Sequence, residues 1–277
     1  MGVLDVITSW DVDRAAAAVV GEPGSVLGTV GPGRERFGLA SVTKLVTTMA
    51  ILVAVEEGSV DLDGPAGPPG ATLRHLLAHA SGLAFDQAVV IARPATRRIY
   101  SNVGIEQAAA LVEQRTGLAF ATYLQEAVLD PLAMGDSTLD GSPATSLTST
   151  IEDMTRFAAE LLRPTLVSDT TLASAVEVAF PGLAGRLPGI GPQDPNDWGL
   201  GFELRDHKSP HWTGTGNSSA TFGHFGGTGT FLWVDPSVRV ACIVLTNRDF
   251  GPWAVEAWPS LSDEVVDAIK SRGSVPI

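Results

Sequence analysis

An α+β fold is predicted for this chain by the distribution of its patterns. Strand-like stretches occupy both ends, helical patterns fill the middle, and a composition of 44% hydrophobic and 18% charged residues supports a sizeable core. The economical arrangement is one antiparallel sheet built from N- and C-terminal strands and flanked by helices, with a mostly helical lobe inserted. We read residues 1–277 as a single domain, with a sheet lobe of about 1–40 and 198–277 and a helical lobe of about 41–197. A site is expected between the lobes.

The elements follow in order. Residues 11–20, an alanine-valine body behind Asp11 and Asp13, read as a short helix. Gly24 to Val30 and Gly33 to Leu39 read as short strands joined by Gly31-Pro32. Ser41 to Glu57 is a helix ended by Gly58, and its centre (Leu45, Val46, Met49, Ile51, Leu52) is apolar nearly all round, which marks a buried helix. The proline- and glycine-dense segment 61–70 is a loop. Thr72 caps a short helix to Ala80, and Val103 to Thr116 and Ala119 to Val128 are two more, the second stopped by Asp130-Pro131. Ser149 to Leu162 opens on the capping box Ser149-Thr150-Ile151-Glu152. Strand patterns return at Gly199 to Arg205, Thr221 to Phe225, Thr230 to Val234 and Val238 to Thr246, with Asp235-Pro236-Ser237 turning a hairpin; Trp258 to Arg272 is a final helix.

The net charge of −13 and pI of about 4.7 exclude the basic stripe of a nucleic-acid binder and disfavour an anionic membrane surface. The one cysteine, Cys242, excludes internal disulfides and falls in an apolar run, so a buried strand thiol is expected. Met1 to Trp10 carries no basic region followed by a long apolar stretch, and no run approaches the ~20 apolar residues of a membrane span. A cytoplasmic location is expected.

Chemistry concentrates at Lys44. It is one of three lysines, with Lys208 and Lys270, among 18 basic residues, and it stands three positions after Ser41. At the start of a helix that spacing puts both side chains on one face, a turn apart. Arginine stays a cation, whereas a desolvated lysine can lose its proton and activate a serine hydroxyl placed at the positive end of the helix dipole. Ser-x-x-Lys alone is common, and Ser41 as a cap with Lys44 at the surface is the plain alternative. Tyr100, one of two tyrosines, adds a phenol that a neighbouring ammonium would shift toward phenolate. Asn102 can donate and accept, and so hold the lysine and a substrate amide together. In His224-Phe225-Gly226-Gly227, glycines allow close approach to a strand edge, where a backbone N–H can pair with that of Ser41 as an oxyanion hole.

Ser41-x-x-Lys44, Tyr100-x-Asn102 and His224-x-Gly226, with Leu76-Leu77-Ala78-His79-Ala80-Ser81-Gly82-Leu83 between them, resemble the serine β-lactamase-like superfamily. The nearest branch is the class C β-lactamase, D-alanyl-D-alanine carboxypeptidase and family VIII esterase group. The resemblance implies Ser41 as acylated nucleophile, Lys44 and Tyr100 as the base system with Tyr100 protonating the leaving group, Asn102 as an orienting residue, and the amides of Ser41 and Gly227 as oxyanion donors. His224 stands where many relatives carry lysine in Lys-Thr-Gly. A permanent cation is thereby replaced by a group mostly neutral at pH 7, which weakens carboxylate recognition.

A metal-independent serine hydrolase acting on small esters or amides, with no cofactor, is therefore expected. A β-lactamase or D-alanyl-D-alanine carboxypeptidase is the second expectation, and a catalytically silent binding module on this scaffold the third. His75 and His79, four apart, suggest a metal pair only weakly, since no third ligand follows, and His79 is expected to fix the loop at Ser81-Gly82.

Overall fold

The computed structural model describes residues 2–271. Its centre is a six-stranded antiparallel sheet of β1 (Ala15–Gly21), β2 (Ser25–Val30), β8 (Glu203–Leu204), β9 (Phe222–Gly226), β10 (Thr230–Asp235) and β11 (Val240–Thr246), in the order β2-β1-β11-β10-β9-β8. The terminal strands meet where β1 pairs with β11, from Ala15 opposite Thr246 to Gly21 opposite Val240. The shared sheet is thus present, with one correction at its start: residues 15–21 are a strand, not a helix. Ala16, Ala18 and Val20 enter the core on one face, while Ala17 and Val19 enter the core on the other. A strand buried on both faces reads as an unbroken apolar run, which periodicity alone does not separate from a helix. The preceding residues Val3–Ser9 form a 3-10 turn whose Leu4 and Ile7 pack beneath that second face.

Helix α7 (Pro252–Lys270) covers the same face through Trp258, Leu261, Val265 and Val266. It begins at Pro252, ahead of the expected Trp258, and the expected last residue, Arg272, lies outside the described residues. The opposite face carries α5 (Ile151–Leu162), which packs on β1 and β11 although it falls in the range expected for the helical lobe. Its cap is Thr150, whose hydroxyl accepts from the Asp153 amide, one residue after the expected Ser149.

The remaining elements serve the site. Helix α1 (Thr43–Glu56) runs through the interior, with Thr43 to Leu52 buried without a gap. Around it lie α2 (Leu73–Leu77), α3 (Asn102–Thr116) and α4 (Phe120–Leu124), the last continuing as a π turn over Gln125–Leu129. Of the strand expected over Gly33 to Leu39 only β3 (Phe37–Gly38) forms, in a small sheet with β4 (Thr138–Leu139) and β5 (Leu147–Ser149). A short hairpin of β6 (Gly185–Leu187) and β7 (Gly191–Gln193) and the helix α6 (Asp169–Ala175) complete the chain. Cys242 is a buried free thiol in β11. Among the described residues no helix is long and apolar enough to cross a membrane.

Candidate active site

Ser41 is delivered by strained backbone. Ala40, immediately before it, has φ 45°, a left-handed conformation that a residue with a Cβ adopts only when its surroundings impose it. Residues Ala40–Val42 make one 3-10 turn that leads into α1, so Ser41 lies just ahead of the helix and Lys44 in its first turn. Loop 143–147 clasps that turn: Thr47 donates to the Pro143 carbonyl at 2.6 Å, and the Leu147 amide donates to the Thr43 hydroxyl at 3.1 Å.

Lys44 is fully buried. Its Nζ donates to the Ala144 carbonyl at 2.9 Å and stands 3.1 Å from Ser41 Oγ. Neither partner carries charge. Burial therefore pushes the ammonium down to about 7, against the opposing pull of Asp86 and Glu106. A large fraction of Lys44 is neutral at physiological pH and can accept a proton.

Tyr100 reaches the same atom from the segment just ahead of α3, its hydroxyl donating to Ser41 Oγ at 2.7 Å. Burial raises the phenol well above its ordinary value, and the bond to Ser41 only partly offsets this. The expectation of a phenolate is thus reversed: the phenol stays protonated and the lysine is the group poised to titrate.

Strand β9 lies against the turn holding Ser41. A Cβ on Gly226 would sit 2.3 Å from the Leu39 carbonyl, so only glycine permits this approach. Thr228 and Thr230 tie the same region down by donating to the carbonyls of Gly38 (2.6 Å) and Leu39 (2.8 Å). Gly226, at the end of β9, is thereby held against the backbone just ahead of Ser41.

The family model for Beta-lactamase matches residues 12–266, nearly the whole chain and all of these residues. The chain belongs to the beta-lactamase family. It is 54% identical to a protein whose crystal structure is described as a beta-lactamase (Mb2281c) from Mycobacterium bovis, over 96% of this chain and 99% of that one, with a TM-score of 0.95. Two more distant structures share the fold. Simvastatin synthase (LovD, a LovD9 mutant) from Aspergillus terreus is 18% identical over 96% of this chain and 97% of that one, with a TM-score of 0.79. A penicillin-binding protein from Bacillus halodurans is 19% identical over 92% and 97%, with a TM-score of 0.73. No protein with a curated description matches the chain. Membership of the beta-lactamase family carries serine-hydrolase chemistry.

Around Ser41 and Lys44, the expected supporting residues divide. Asn102 opens α3, where Ser101 is the cap, its hydroxyl accepting from the Gly104 amide. Asn102 Nδ2 donates to Asp86 at 2.6 Å, and Oδ1 is buried without a partner. Asn102 is therefore not bound to Lys44, whose hydrogen-bond partners are Ser41 and Ala144. His224 is buried; its Nδ1 lies 2.6 Å from the Phe225 carbonyl and so must donate, which leaves Nε2 as a bare acceptor. Burial and the nearby Lys44 push it down to about 3, so it is neutral throughout the physiological range.

Sequence reasoning missed three contributors in this family member. Asp86 has no motif around it. The Ala144 carbonyl is a backbone group. Trp198 is buried with its ring 5.7 Å from that of Tyr100 and 5.4 Å from that of His224. The two histidines of the suggested metal pair do not converge. His75 caps its own helix, 2.9 Å from the Thr72 hydroxyl. His79 lies beyond α2 at φ 53° and accepts the Ser101 amide on Nδ1, so it steadies the Tyr100 segment instead of the loop at Ser81.

Proposed function

We propose that the protein hydrolyses small carboxylic esters through a covalent acyl-enzyme on Ser41. The observation that carries this reading is the convergence on Ser41 Oγ of a buried, readily deprotonated lysine at 3.1 Å and a protonated phenol at 2.7 Å. Ser41 Oγ attacks the ester carbonyl carbon as its proton passes to Lys44 Nζ. The amides of Ser41 and Gly227 receive the oxyanion. The tetrahedral adduct collapses, and the leaving alkoxide takes a proton relayed from Lys44 through Tyr100. Water attacks the acyl-Ser41 ester by the same route in reverse, releasing the acid and restoring the serine.

Esters are favoured over β-lactams and D-alanyl peptides because the position of His224 supplies no cation for a substrate carboxylate. A cytoplasmic setting belongs to the same reading, and cell fractionation tests it. Hydrolysis of p-nitrophenyl butyrate, with a fluorophosphonate adduct found on Ser41 by mass spectrometry, is the expected result. Ser41→Ala should lose at least about 10³-fold in kcat/KM. Parent-like activity in that variant removes Ser41 as nucleophile.

One observation favours a second reading: the 54% identical relative is described as a beta-lactamase. Turnover of nitrocefin faster than of the ester would replace the first reading with this one.

A further inference from the structure

A groove of about 340 Å³ has Tyr100 in its wall, the residue whose hydroxyl reaches Ser41, although Ser41 and Lys44 do not line it. It falls at the lower end of the size range of small-molecule sites. A larger concavity of about 810 Å³, between loop 65–71 and α3, includes none of Ser41, Lys44 or Tyr100. The groove beside Tyr100 is walled by two features. On one side is the segment 82–92, closed on itself by Ala84 N–H to the Val89 carbonyl and Ile91 N–H to the Gly82 carbonyl, both about 2.8–2.9 Å. It presents Phe85 and Ile91, which are 51% and 59% exposed, far more than apolar side chains gain by facing water. Phe85 stacks on Tyr100 with centroids 5.8 Å apart, which makes the apolar wall continuous with the catalytic ring. On the other side is strand β6 with Pro188, held to the Tyr100 segment by the bridge of Gly185 to Arg98.

The groove also contains charge. Arg97 and Arg186 both belong to its wall, both are exposed, and neither has an ion-pair partner among the described residues. Two unpaired guanidiniums lining one groove are notable in a chain of net charge −13 with 31 acidic residues available to neutralise them. Asp86, in the segment that walls the groove, is already engaged by Asn102.

We propose, resting on the ester-hydrolase reading above, that the groove holds the apolar body of a substrate whose far end is a carboxylate. The scissile carbonyl lies at Ser41, the methylene chain lies along Phe85, Tyr100, Ile91 and Pro188, and Arg97 and Arg186 receive the anion. Apolar burial supplies affinity with chain length, and the guanidiniums select a half-ester of a dicarboxylic acid over a neutral diester.

The test uses Ser41→Ala, which binds without turnover, titrated calorimetrically at low salt with monomethyl suberate and with dimethyl suberate. The half-ester should bind about fivefold more tightly, a gap that shrinks with added salt. The double variant R97Q/R186Q should abolish the gap, and Ile91→Ser should weaken both ligands several-fold. Equal binding of the two ligands, binding of neither, or a gap that survives R97Q/R186Q overturns the proposal. Fluorophosphonate labelling of the unmutated protein judges the ester reading separately. Labelling at Ser41 without a binding gap sinks the groove assignment alone, while a gap without labelling keeps the groove and sinks acyl transfer.

Discussion

Lys44 Nζ lies over the ring of Tyr100, 4.8 Å from its centre, and both side chains end on the same oxygen of Ser41. The shared burial acts on them in opposite senses, lowering the amine to about 7 and raising the phenol. Two titratable groups driven apart in this way declare which accepts and which donates. With Tyr100 donating to Ser41 Oγ, the serine's own proton is free to point at the lysine lone pair. The rate constant kcat/KM should therefore climb as Lys44 deprotonates near pH 7 and stay level above it, because the phenol keeps its proton. A rate that instead fell as pH rose through the ordinary lysine value of 10.5 would show that Lys44 works as a cation and that another group is the base.

Tyr100→Phe separates the ring from the hydroxyl. The ring contacts with His79, Phe85 and Trp198 survive, and only the donor to Ser41 Oγ is removed. We expect kcat to fall about 10²–10³-fold while the limb near pH 7 keeps its position. A variant whose limb disappeared together with its rate would transfer the base role to the phenol.

Lys44→Met tests what the buried amine costs the fold. Between about pH 7 and the ordinary lysine value of 10.5 the unfolded chain carries a proton on Lys44 that the folded protein does not. The unfolded state then binds more protons, so the contribution of this group to stability rises with pH across that window; below about pH 7 its cost is fully present. Methionine fills similar space with no charge to desolvate. The variant should be inactive, more stable by about 1–3 kcal/mol at pH 6, and closer to the parent at pH 10. Chemical denaturation at the two pH values measures this. A destabilised variant at pH 6 would mean that the bonds to Ala144 and Ser41 outweigh burial.

What could be read from the sequence divides along physical lines. The convergence of Ser41, Lys44 and Tyr100 is legible because residue type and spacing within single elements single them out, and the matching order of motifs supplies the long-range pairing. The charge states were not legible. A lysine beside a tyrosine suggests a phenolate when only the pair is considered, but desolvation is a property of everything packed around them, including the Ala144 carbonyl and Trp198. The first strand resembles a helix in sequence for a related reason, since Ala15–Gly21 is apolar on both faces and only its neighbours β2 and β11 make it extended. The partner of His79 is not legible either, because the preceding helix stops at Leu77 and the backbone of His79 turns left-handed.

His79 holds Tyr100 from both sides. Its carbonyl accepts the Ile99 amide at 2.9 Å, its Nδ1 accepts the Ser101 amide at 3.2 Å, and its ring lies 4.7 Å from that of Tyr100. With Nδ1 accepting, the proton of the neutral ring is on Nε2, and burial together with Lys44 keeps the ring neutral. His79 is therefore a positioning residue that sets where the phenol oxygen meets Ser41. An error of a fraction of an ångström there is paid in turnover more than in binding. His79→Ala should lower kcat about 10- to 100-fold with KM little changed and the limb still near pH 7. His79→Asn should recover part of that loss, because its side-chain oxygen can take the Ser101 amide and asparagine tolerates the φ of 53° at this position. A merely structural role would lower stability in both variants without this ordering of kcat, and parallel thermal melts distinguish the two.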